Sequence, residues 1–342
     1  MGCGSSKVAA ANASSSSSSD KATLYGEQPA HWSKVTAQEY QTKGFVAARL
    51  NSNDAIWQQL ERFLEVDDPH NLGYGRDMQQ KSKQKYEKLR LAAAWRIQNP
   101  ALWSRFMAGK AKVRRDVHSL QKLGKGLPKR GGPGLPLRLH ERAKMLPGAA
   151  LDDEVKETML MHGTKPQFLL DILSNGPNER YSGATGTLFG NGMYFSEDAD
   201  KVDQYTARDP AFVKQKGPTK GALHARLYGG SKEHGHPGNV YYILLCRVAL
   251  GHYVRTRDQA PLCKSIDGAG GAGAGAPCFE RGNPRELASV PKVNPPIHYH
   301  ALIGEKGPGH LRHREVVLFH GEFLYPEYLL GVHRVSSKGK VL

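Results

Sequence analysis

Apolar side chains in the first third of the chain recur at the spacing of an α-helix. The repeated positions are Ile56, Leu60, Phe63 and Leu64. Residues three or four apart lie on one face of a helix, and Trp57 adds to that face. Asn53 precedes the repeat, and its side chain can accept a hydrogen bond from a free N–H group of the first turn. The pattern predicts an amphipathic helix that begins after Asn53.

Residues 91–106 are rich in large apolar side chains on both sides of Gln98-Asn99-Pro100. Proline has no N–H group to donate and is favoured only in the first turn of a helix. One element therefore ends before Pro100, or the next one begins there. We interpret residues 29–110 as a helical extension that leads into the following domain.

A short strand is predicted at residues 157–161, and it ends at His162. A helix is predicted to follow at residues 165–175 and to stop at Gly176, because glycine readily adopts the left-handed conformation that ends many helices. The residues of this helix that are predicted to face inward are Phe168, Leu169, Ile172 and Leu173.

A second helix is predicted to begin after Ser196 and to continue through Tyr205. The serine side chain can cap its first N–H groups. Glu197 and Asp198 fall in its first turn, where negative charge complements the helix dipole.

The remaining hydrophobic segments predict strands rather than helices. Residues 240–249 present apolar side chains on both faces, which is typical of a strand inside a sheet. Residues 315–319 and 328–335 predict two more strands, separated by a turn that contains Pro326. Residues 268–276 are only glycine and alanine and predict a loop. Short strands with irregularly interspersed helices favour an α+β fold with mixed or antiparallel sheets and flanking helices.

These patterns divide the chain into successive segments around one main domain. The predicted segments are a disordered tail at 1–28, the helical extension at 29–110, a basic Gly/Pro-rich loop at 111–147, the main domain at 148–336 with a low-complexity loop at 264–281, and a tail at 337–342. The first tail has almost no large apolar side chains, so it cannot offset the entropy lost on ordering.

The positive charge of the chain is unevenly distributed. The formal net charge is +16, and residues 109–145 hold eleven lysines and arginines against two acidic residues. Such a segment suits phosphate groups or anionic lipid, and a solvated loop explains it equally well.

The first seven residues, MGCGSSK, fit the N-myristoylation pattern. Gly2 would carry the acyl chain, Ser6 completes the pattern, and Cys3 is placed for palmitoylation. A chance match in a Gly/Ser-rich segment is the alternative. No apolar stretch approaches the roughly 20 residues that a membrane helix requires. We expect an intracellular, cytoplasmic protein that associates with membranes through acylation of Gly2 and Cys3.

The four cysteines form no Cys-x-x-Cys pair, so a disulfide scaffold is not expected. Cys246 lies in an apolar run and is predicted to be a buried strand residue. Cys263 and Cys278 flank the glycine-rich segment, and a zinc site that they form with His298 and His300 is an alternative. Because these residues lack a recognised ligand spacing, we expect no metal.

One nucleotide-binding motif is excluded by its context. Residues 268–273 match the dinucleotide-binding pattern G-x-G-x-x-G. That pattern requires a preceding strand and a following helix whose N-terminus meets the pyrophosphate, and residues 263–267 followed by Pro277 provide neither. A dinucleotide site in this chain must be built differently.

Three motifs far apart in the chain carry the candidate chemistry. They are MHGT at residues 161–164, GNGMYF at 190–195 and Glu315 at the start of EVVLF. They supply an imidazole (His162), an aromatic ring (Tyr194) and a carboxylate from separate elements. Each residue alone has a structural explanation, as a strand-end histidine, a core tyrosine or a solvated glutamate. Together they predict one nucleotide site.

In this order the three motifs resemble the catalytic domain of the poly(ADP-ribose) polymerase family of NAD-dependent ADP-ribosyltransferases. The resemblance covers about residues 150–336, and residues 95–106 resemble a segment ahead of the domain in several members. Residues 245–251, 300–304 and 325–330 look most like tankyrases. The resemblance implies the ADP-ribosyltransferase fold, NAD as the ADP-ribose donor and no metal.

The resemblance implies that four residues hold the nicotinamide half of NAD. Gly163 would bind the carboxamide through its backbone, where glycine permits close approach, and His162 would hydrogen-bond the ribose. Tyr194 would line the pocket, and Tyr205 would stack on the nicotinamide ring.

By the same resemblance, Arg180 would lie near the adenosine, and Glu315 would bind the nicotinamide ribose and orient the acceptor. Most relatives have a serine that hydrogen-bonds the carboxamide, and this chain has Val202 at that position. Losing one neutral hydrogen bond costs about 0.5–1.5 kcal/mol, which Thr164 could partly restore.

The implied function is an enzyme that transfers ADP-ribose, as single units or polymers, from NAD to protein side chains. One alternative is a catalytically weak NAD- or ADP-ribose-binding scaffold tethered to an anionic membrane surface, as Val202 and the acylation pattern favour. Another makes the basic segment a nucleic-acid sensor. No aromatic residue is interleaved between Lys110 and Arg142, which argues against stacking on bases.

Overall fold

The computed structural model describes residues 28–33, 37–73, 86–125, 138–148, 150–179, 187–209, 218–229, 235–266, 275–306 and 312–342. The larger of its two sheets has five strands, which are β1 (Val46–Arg49), β2 (Lys88–Gln98), β3 (Glu157–Gly163), β5 (Tyr241–Ala249) and β9 (Leu324–Val335). They lie in the order β1-β2-β9-β5-β3, and all of the pairs are antiparallel.

The smaller sheet is mixed, and its strands are β4 (Met193–Phe195), β6 (Tyr253–Thr256), β7 (Ala301–Gly304) and β8 (Glu315–Leu318). They lie in the order β4-β8-β7-β6. β6 and β7 run parallel, whereas β4 and β7 both pair antiparallel with β8. A bridge between Met161 and Ser196 joins the two sheets where β3 passes the end of β4. These features confirm the predicted α+β class with mixed and antiparallel sheets.

Helices cover both faces of the larger sheet. They are α1 (Ala37–Lys43), α2 (Ala55–Phe63), α3 (Pro100–Lys122), α4 (Arg138–Lys144), α5 (Pro166–Asn175), α6 (Ala199–Asp203) and α7 (Pro218–Tyr228). Leu244 of β5 packs in a core cluster with residues of α3, α5 and α7, whereas Ile243 packs in a cluster with residues of α2, α4 and α6. Alternate side chains thus enter opposite cores, and β5 is buried on both faces as predicted. In the described ranges no helix is sufficiently long and apolar to cross a membrane.

Two predicted helices occur with small differences. α2 buries Ile56, Leu60 and Phe63, but the residue at its N-cap is Asp54 rather than Asn53. α5 ends at Gly176, whose φ of +87° suits a residue without a side chain. Phe168 of α5 is 52% exposed and therefore does not face inward as predicted.

The helix predicted from Ser196 through Tyr205 is shorter. α6 spans Ala199–Asp203, with Asp198 at its N-cap. Ser196 bridges two segments instead: its hydroxyl accepts the Asp198 N–H at 3.2 Å and donates to the Arg314 carbonyl at 2.9 Å. The serine joins the chain before α6 to the chain before β8.

The predicted helical extension at 29–110 contains β1 and β2, which belong to the larger sheet. β2 is buried on both faces in its second half, so the alternation typical of a strand is absent from that part. Pro100 begins α3, and Asn99 caps it by accepting the Leu102 N–H at 3.1 Å. Asn99 also donates to the carbonyl of Leu173 at 2.9 Å, which links α3 to the end of α5.

The basic segment predicted as a loop at 111–147 is largely helical where it is described. α3 continues to Lys122, and α4 begins at Arg138. Lys110 forms a buried ion pair with Glu157 at 2.7 Å, and Lys112 pairs with Asp116 at 3.0 Å. Part of the positive charge is therefore neutralised within the fold.

The end of the chain folds onto the larger sheet. Pro326 lies inside β9, opposite Cys246 at a β-bulge, and the turn before β9 is a 3-10 helix at Gly321–Phe323. The prediction of a turn at Pro326 was wrong because a bulge removes the need for a ladder hydrogen bond from proline. Val341 pairs with Val335, so the predicted tail at 337–342 folds back on β9. Residues 1–27 and 267–274, which hold most of the predicted tail and glycine-rich loop, lie outside the described residues.

Candidate active site

His162 stands at the end of β3 and faces the strand that carries Tyr194. Its Nδ1 lies 2.8 Å from the backbone carbonyl oxygen of Tyr194. A carbonyl only accepts, so Nδ1 carries the proton and donates it. Burial lowers the pKa of His162 despite this hydrogen bond, so the ring is neutral near pH 7. Nε2 is therefore an acceptor, suited to a hydroxyl group of a ligand.

Gly163 brings β3 into direct contact with α6. A Cβ atom built at Gly163 would overlap the backbone carbonyl oxygen of Val202. Only glycine permits this approach, which sets the distance between the end of β3 and the helix that carries Lys201. The Val202 side chain is buried in the core with Met161 and Ala199.

Substitution of Gly163 by alanine is expected to lower the free energy of unfolding by about 1–3 kcal/mol, because the added methyl group meets backbone rather than a movable side chain. Chemical denaturation measures this change. Gly221→Ala is the matched control, since a Cβ there meets open space. Equal stabilities for the two variants would contradict the close contact between β3 and α6.

Tyr194 presents its ring to the site and uses its hydroxyl locally. The hydroxyl accepts the Phe189 N–H at 2.9 Å and donates to the Gly190 carbonyl at 2.7 Å. Burial raises the pKa of Tyr194, and the nearby Glu315 carboxylate raises it further. The phenol remains neutral and braces the turn before β4, so the ring is the part that a ligand can meet.

Glu315 begins β8 opposite Gly304, and its carboxylate forms an ion pair with the ammonium of Lys201. Both side chains are only 5% exposed. The Lys201 Nζ lies 3.5 Å from the Tyr205 hydroxyl and 5.4 Å from the centre of its ring. Lys201 and Tyr205 are four residues apart, the spacing that brings side chains together on a helical turn.

Lys201 is the residue that the sequence interpretation missed. Its burial depends on Glu315, which is 114 positions away in the sequence, and no local pattern reveals such a partner. The only local signal is the four-residue spacing to Tyr205. Thr164 follows Gly163 and is buried, whereas Arg180 lies outside the described residues. The structure therefore brings together His162, Gly163, Tyr194, Tyr205 and Glu315, and adds Lys201.

Hydrogen bonds and ion pairs hold the chain before β8 against the segment that leads into α6. The His313 Nδ1 donates to Asp198 at 3.1 Å, and its Nε2 lies 3.2 Å from an Asp200 carboxylate oxygen. Burial raises the pKa of Asp200, which the His313 imidazole opposes. Arg314 donates to Glu305 at 2.9 Å. These contacts fix Glu315 and Lys201 relative to each other.

Asp209, His224 and His236 have ligand atoms close enough to share a metal ion, yet their hydrogen bonds explain the cluster. The Gly238 N–H donates to His236 Nδ1 at 3.2 Å, so a neutral His236 carries its proton on Nε2, which faces Asp209. The Asp209 carboxylate lies 2.7 Å from His224 Nε2. Burial raises the pKa of Asp209, but the hydrogen bonds outweigh it and hold that pKa below its usual range. The Asp209 carboxylate thus accepts hydrogen bonds from His224, His236 and the Tyr242 hydroxyl.

The alternative zinc site is not assembled. Cys263 and Cys278 lie together, but His298 Nδ1 is 2.7 Å from the Leu287 carbonyl, and His300 Nε2 is 3.2 Å from Asp116. Within the described part of the chain, these four residues do not form a ligand cluster.

Comparison with known proteins identifies the family to which the chain belongs. A family model described as the poly(ADP-ribose) polymerase catalytic domain matches residues 74–334. The match begins ahead of β2, so β2 and α3 lie within the matched region.

The chain is also similar to the protein mono-ADP-ribosyltransferase PARP11 of Mus musculus, with 27% identity over 181 residues, which are 53% of this chain and 42% of the relative. The Homo sapiens PARP11 matches at 27% identity, with 53% and 41% covered. The Mus musculus mono-ADP-ribosyltransferase PARP10 is 40% identical over 52 residues, 15% of this chain and 5% of the relative. The chain thus spans less than half the length of these relatives. None of the three is a tankyrase, so they do not support the expected closeness to tankyrases.

Proposed function

The chain belongs to the family of the poly(ADP-ribose) polymerase catalytic domain, and we propose that it transfers ADP-ribose from NAD to protein side chains and releases nicotinamide. The observation that carries the proposal is the convergence of His162, Tyr194 and Glu315, from β3, β4 and β8, around a buried Lys201–Glu315 ion pair. A carboxylate fixed beside a neutral imidazole and two tyrosine rings suits a ribose linked to an aromatic base.

In this proposal NAD binds with its nicotinamide between Tyr194 and Tyr205. Aromatic faces hold an aromatic ligand without a charge requirement. The Gly163 backbone would pair with the carboxamide, and His162 Nε2 would accept a hydrogen bond from a ribose hydroxyl. Arg180 would lie near the adenosine.

Cleavage of the bond between nicotinamide and ribose develops positive charge on the ribose, as glycoside cleavage does. The Glu315 carboxylate would stabilise this charge and hold the ribose hydroxyl toward the incoming acceptor. Lys201 would hold the carboxylate in one orientation before the substrate arrives. A preoriented charge favours the transition state over the ground state, which is the requirement for acceleration.

Most relatives have a serine at position 202, and Val202→Ser is expected to tighten NAD binding about 2- to 10-fold, the effect of one neutral hydrogen bond of about 0.5–1.5 kcal/mol to the carboxamide. The Val202 side chain packs in the core, so the serine hydroxyl must turn toward Gly163, which the backbone carbonyl of residue 202 already contacts. Isothermal titration calorimetry with NAD measures the change. Val202→Ala is the matched control, since it shortens the side chain without adding a hydroxyl. Unchanged affinity in Val202→Ser would contradict a hydrogen bond between this side chain and the carboxamide.

The proposed product is a single ADP-ribose unit on each acceptor site, because the similar proteins PARP11 and PARP10 are mono-ADP-ribosyltransferases. Incubation of the full chain with labelled NAD and candidate acceptor proteins tests this. A single labelled species on a denaturing gel supports single-unit transfer, and a ladder shows polymer. No label on any protein, with NAD bound, favours the binding scaffold instead.

We also propose that Gly2 and Cys3 are acylated and hold the protein on an anionic membrane surface. The sequence MGCGSSK supports this proposal, and two acyl chains are sufficient for stable anchoring. Mass spectrometry of the N-terminal peptide from cells tests it, and a peptide without acyl groups rejects it.

A further inference from the structure

Cys263 and Cys278 lie directly opposite each other on two antiparallel segments. The neighbouring residues Lys264 and Pro277 form an antiparallel bridge. The Cys278 N–H donates to the Cys263 carbonyl at 3.0 Å. The two cysteines therefore occupy facing positions of one short ladder, and both side chains are buried.

This placement meets the distance requirement of a disulfide. Facing residues that share a backbone hydrogen bond in an antiparallel pair have Cα atoms roughly 5.5 Å apart. Disulfides join residues whose Cα atoms are about 4.4–6.8 Å apart. A bond between the two sulfur atoms needs side-chain rotation rather than movement of the backbone.

The two thiols differ in acidity in a way that favours oxidation at one of them. The hydrogen bond from the Cys278 thiol lowers the pKa of Cys263, whereas the same bond raises the pKa of Cys278. The thiolate is the nucleophilic form of cysteine. Cys246 provides a contrast, because burial in β5 raises its pKa.

The pair lies just beneath the surface. Leu262, the residue before Cys263, is 82% exposed, and Lys264 and Pro277 on either side of the pair are exposed as well. A ladder this short has few hydrogen bonds to break, so local opening costs much less than global unfolding. A small oxidant can therefore reach the Cys263 sulfur.

We propose that Cys263 and Cys278 form a reversible intramolecular disulfide when the protein meets hydrogen peroxide. The Cys263 thiolate attacks one peroxide oxygen, breaks the O–O bond and becomes a sulfenic acid, while hydroxide leaves and takes up a proton. The Cys278 sulfur then attacks the Cys263 sulfur and displaces a second hydroxide, which takes up the Cys278 proton. Two thiols and one peroxide thus yield one disulfide and two water molecules.

The bond would cross-link the core cluster against which the Tyr194 ring packs. Both cysteines pack in a core cluster with Phe189 and Phe279, and the Tyr194 ring packs against that cluster. Gly190, whose carbonyl accepts the Tyr194 hydroxyl, is in close contact with the Phe279 ring. The disulfide would covalently join the segments that carry Cys263 and Cys278 next to this cluster. The oxidation itself does not depend on the proposed transfer activity.

Peptide mapping of the full chain tests the proposal. The reduced protein is treated with hydrogen peroxide, quenched, denatured, alkylated and digested. We expect a peptide that joins Cys263 to Cys278 with the loss of two hydrogen atoms, reversed by dithiothreitol, while Cys246 remains alkylated. In Cys278→Ser the linked peptide should be absent and Cys263 should be trapped by a sulfenic-acid reagent, whereas Cys246→Ser should behave as the wild type.

Alkylation of both Cys263 and Cys278 after oxidation, or bonds that join Cys263 to another cysteine or to a second molecule, would overturn the proposal. The thermal unfolding midpoint gives a second measurement that requires no variant. It should rise on oxidation and return on reduction, because a bridge that closes a loop restricts the unfolded chain. An unchanged midpoint in protein that carries the linked peptide would contradict the closed-loop geometry.

Discussion

Glu315→Gln is expected to reduce ADP-ribosyl transfer about 100- to 1000-fold, the loss typical when one preorganised electrostatic group is removed from an active site. The amide has nearly the same shape as the carboxylate but no charge. Positive charge on the ribose appears only in the transition state, so the dissociation constant of NAD should change little. The effect should therefore fall on kcat.

Initial rates of nicotinamide release measure kcat, and calorimetric titration with NAD measures the dissociation constant. Glu61→Gln on the exposed face of α2 is the matched control and should retain wild-type rates. Because Glu315→Gln removes the negative charge that pairs with Lys201, rates should be compared well below the unfolding midpoint of the variant. If the variant keeps more than about a tenth of the wild-type rate, the loss is much smaller than is typical for such a group. Glu315 would then have no role in the chemical step.

Lys201→Met is expected to lower the free energy of unfolding by about 3–5 kcal/mol, because it leaves the Glu315 carboxylate buried without its counter-ion. Chemical denaturation measures this loss. Lys112→Met is the matched control at an exposed pair with Asp116, where about 0.2–1 kcal/mol is expected. Nicotinamide release should also fall in Lys201→Met, since the carboxylate loses the group that orients it.

The double variant Lys201→Met with Glu315→Gln closes a thermodynamic cycle with the two single variants. Removing both charges leaves neither ion unpaired, so the double variant should be more stable than the sum of the single losses indicates. Its transfer activity should remain low, because Glu315 is still absent. Additive losses of stability would show that the two side chains do not interact in solution.

The parts of the fold predicted from the sequence are those with a strong local pattern. β5 is apolar on both faces and lies inside the larger sheet, and α2 and α5 follow helical spacing. β2 was missed because its second half is buried on both faces, so polar and apolar side chains do not alternate there. Asn99-Pro100 indicates a boundary but does not show whether a helix or a strand precedes it. α2 and α6 have Asp54 and Asp198 at their N-caps, one and two positions after the predicted caps, and neither side chain makes a capping hydrogen bond. A helix boundary is therefore predicted from the sequence only to within one or two residues.

The candidate site was predictable as a set of residues but not as a geometry. His162, Tyr194 and Glu315 were identified from motifs, whereas the tautomer of His162 follows from one contact with a backbone carbonyl. Lys201 lies in a short polar segment whose sequence is typical of a solvent-exposed helix. Its burial results from tertiary pairing with Glu315, and tertiary context of this kind overrides local propensity.

The most direct test uses NAD labelled in the adenine or in the nicotinamide, incubated with the wild-type chain and with Glu315→Gln. We predict that the adenine label becomes attached to protein and survives denaturation, while the nicotinamide label is released as free nicotinamide, and that both processes nearly stop in Glu315→Gln. If wild-type protein binds NAD but neither retains the adenine label after denaturation nor releases nicotinamide, the chain is a binding module and not a transferase.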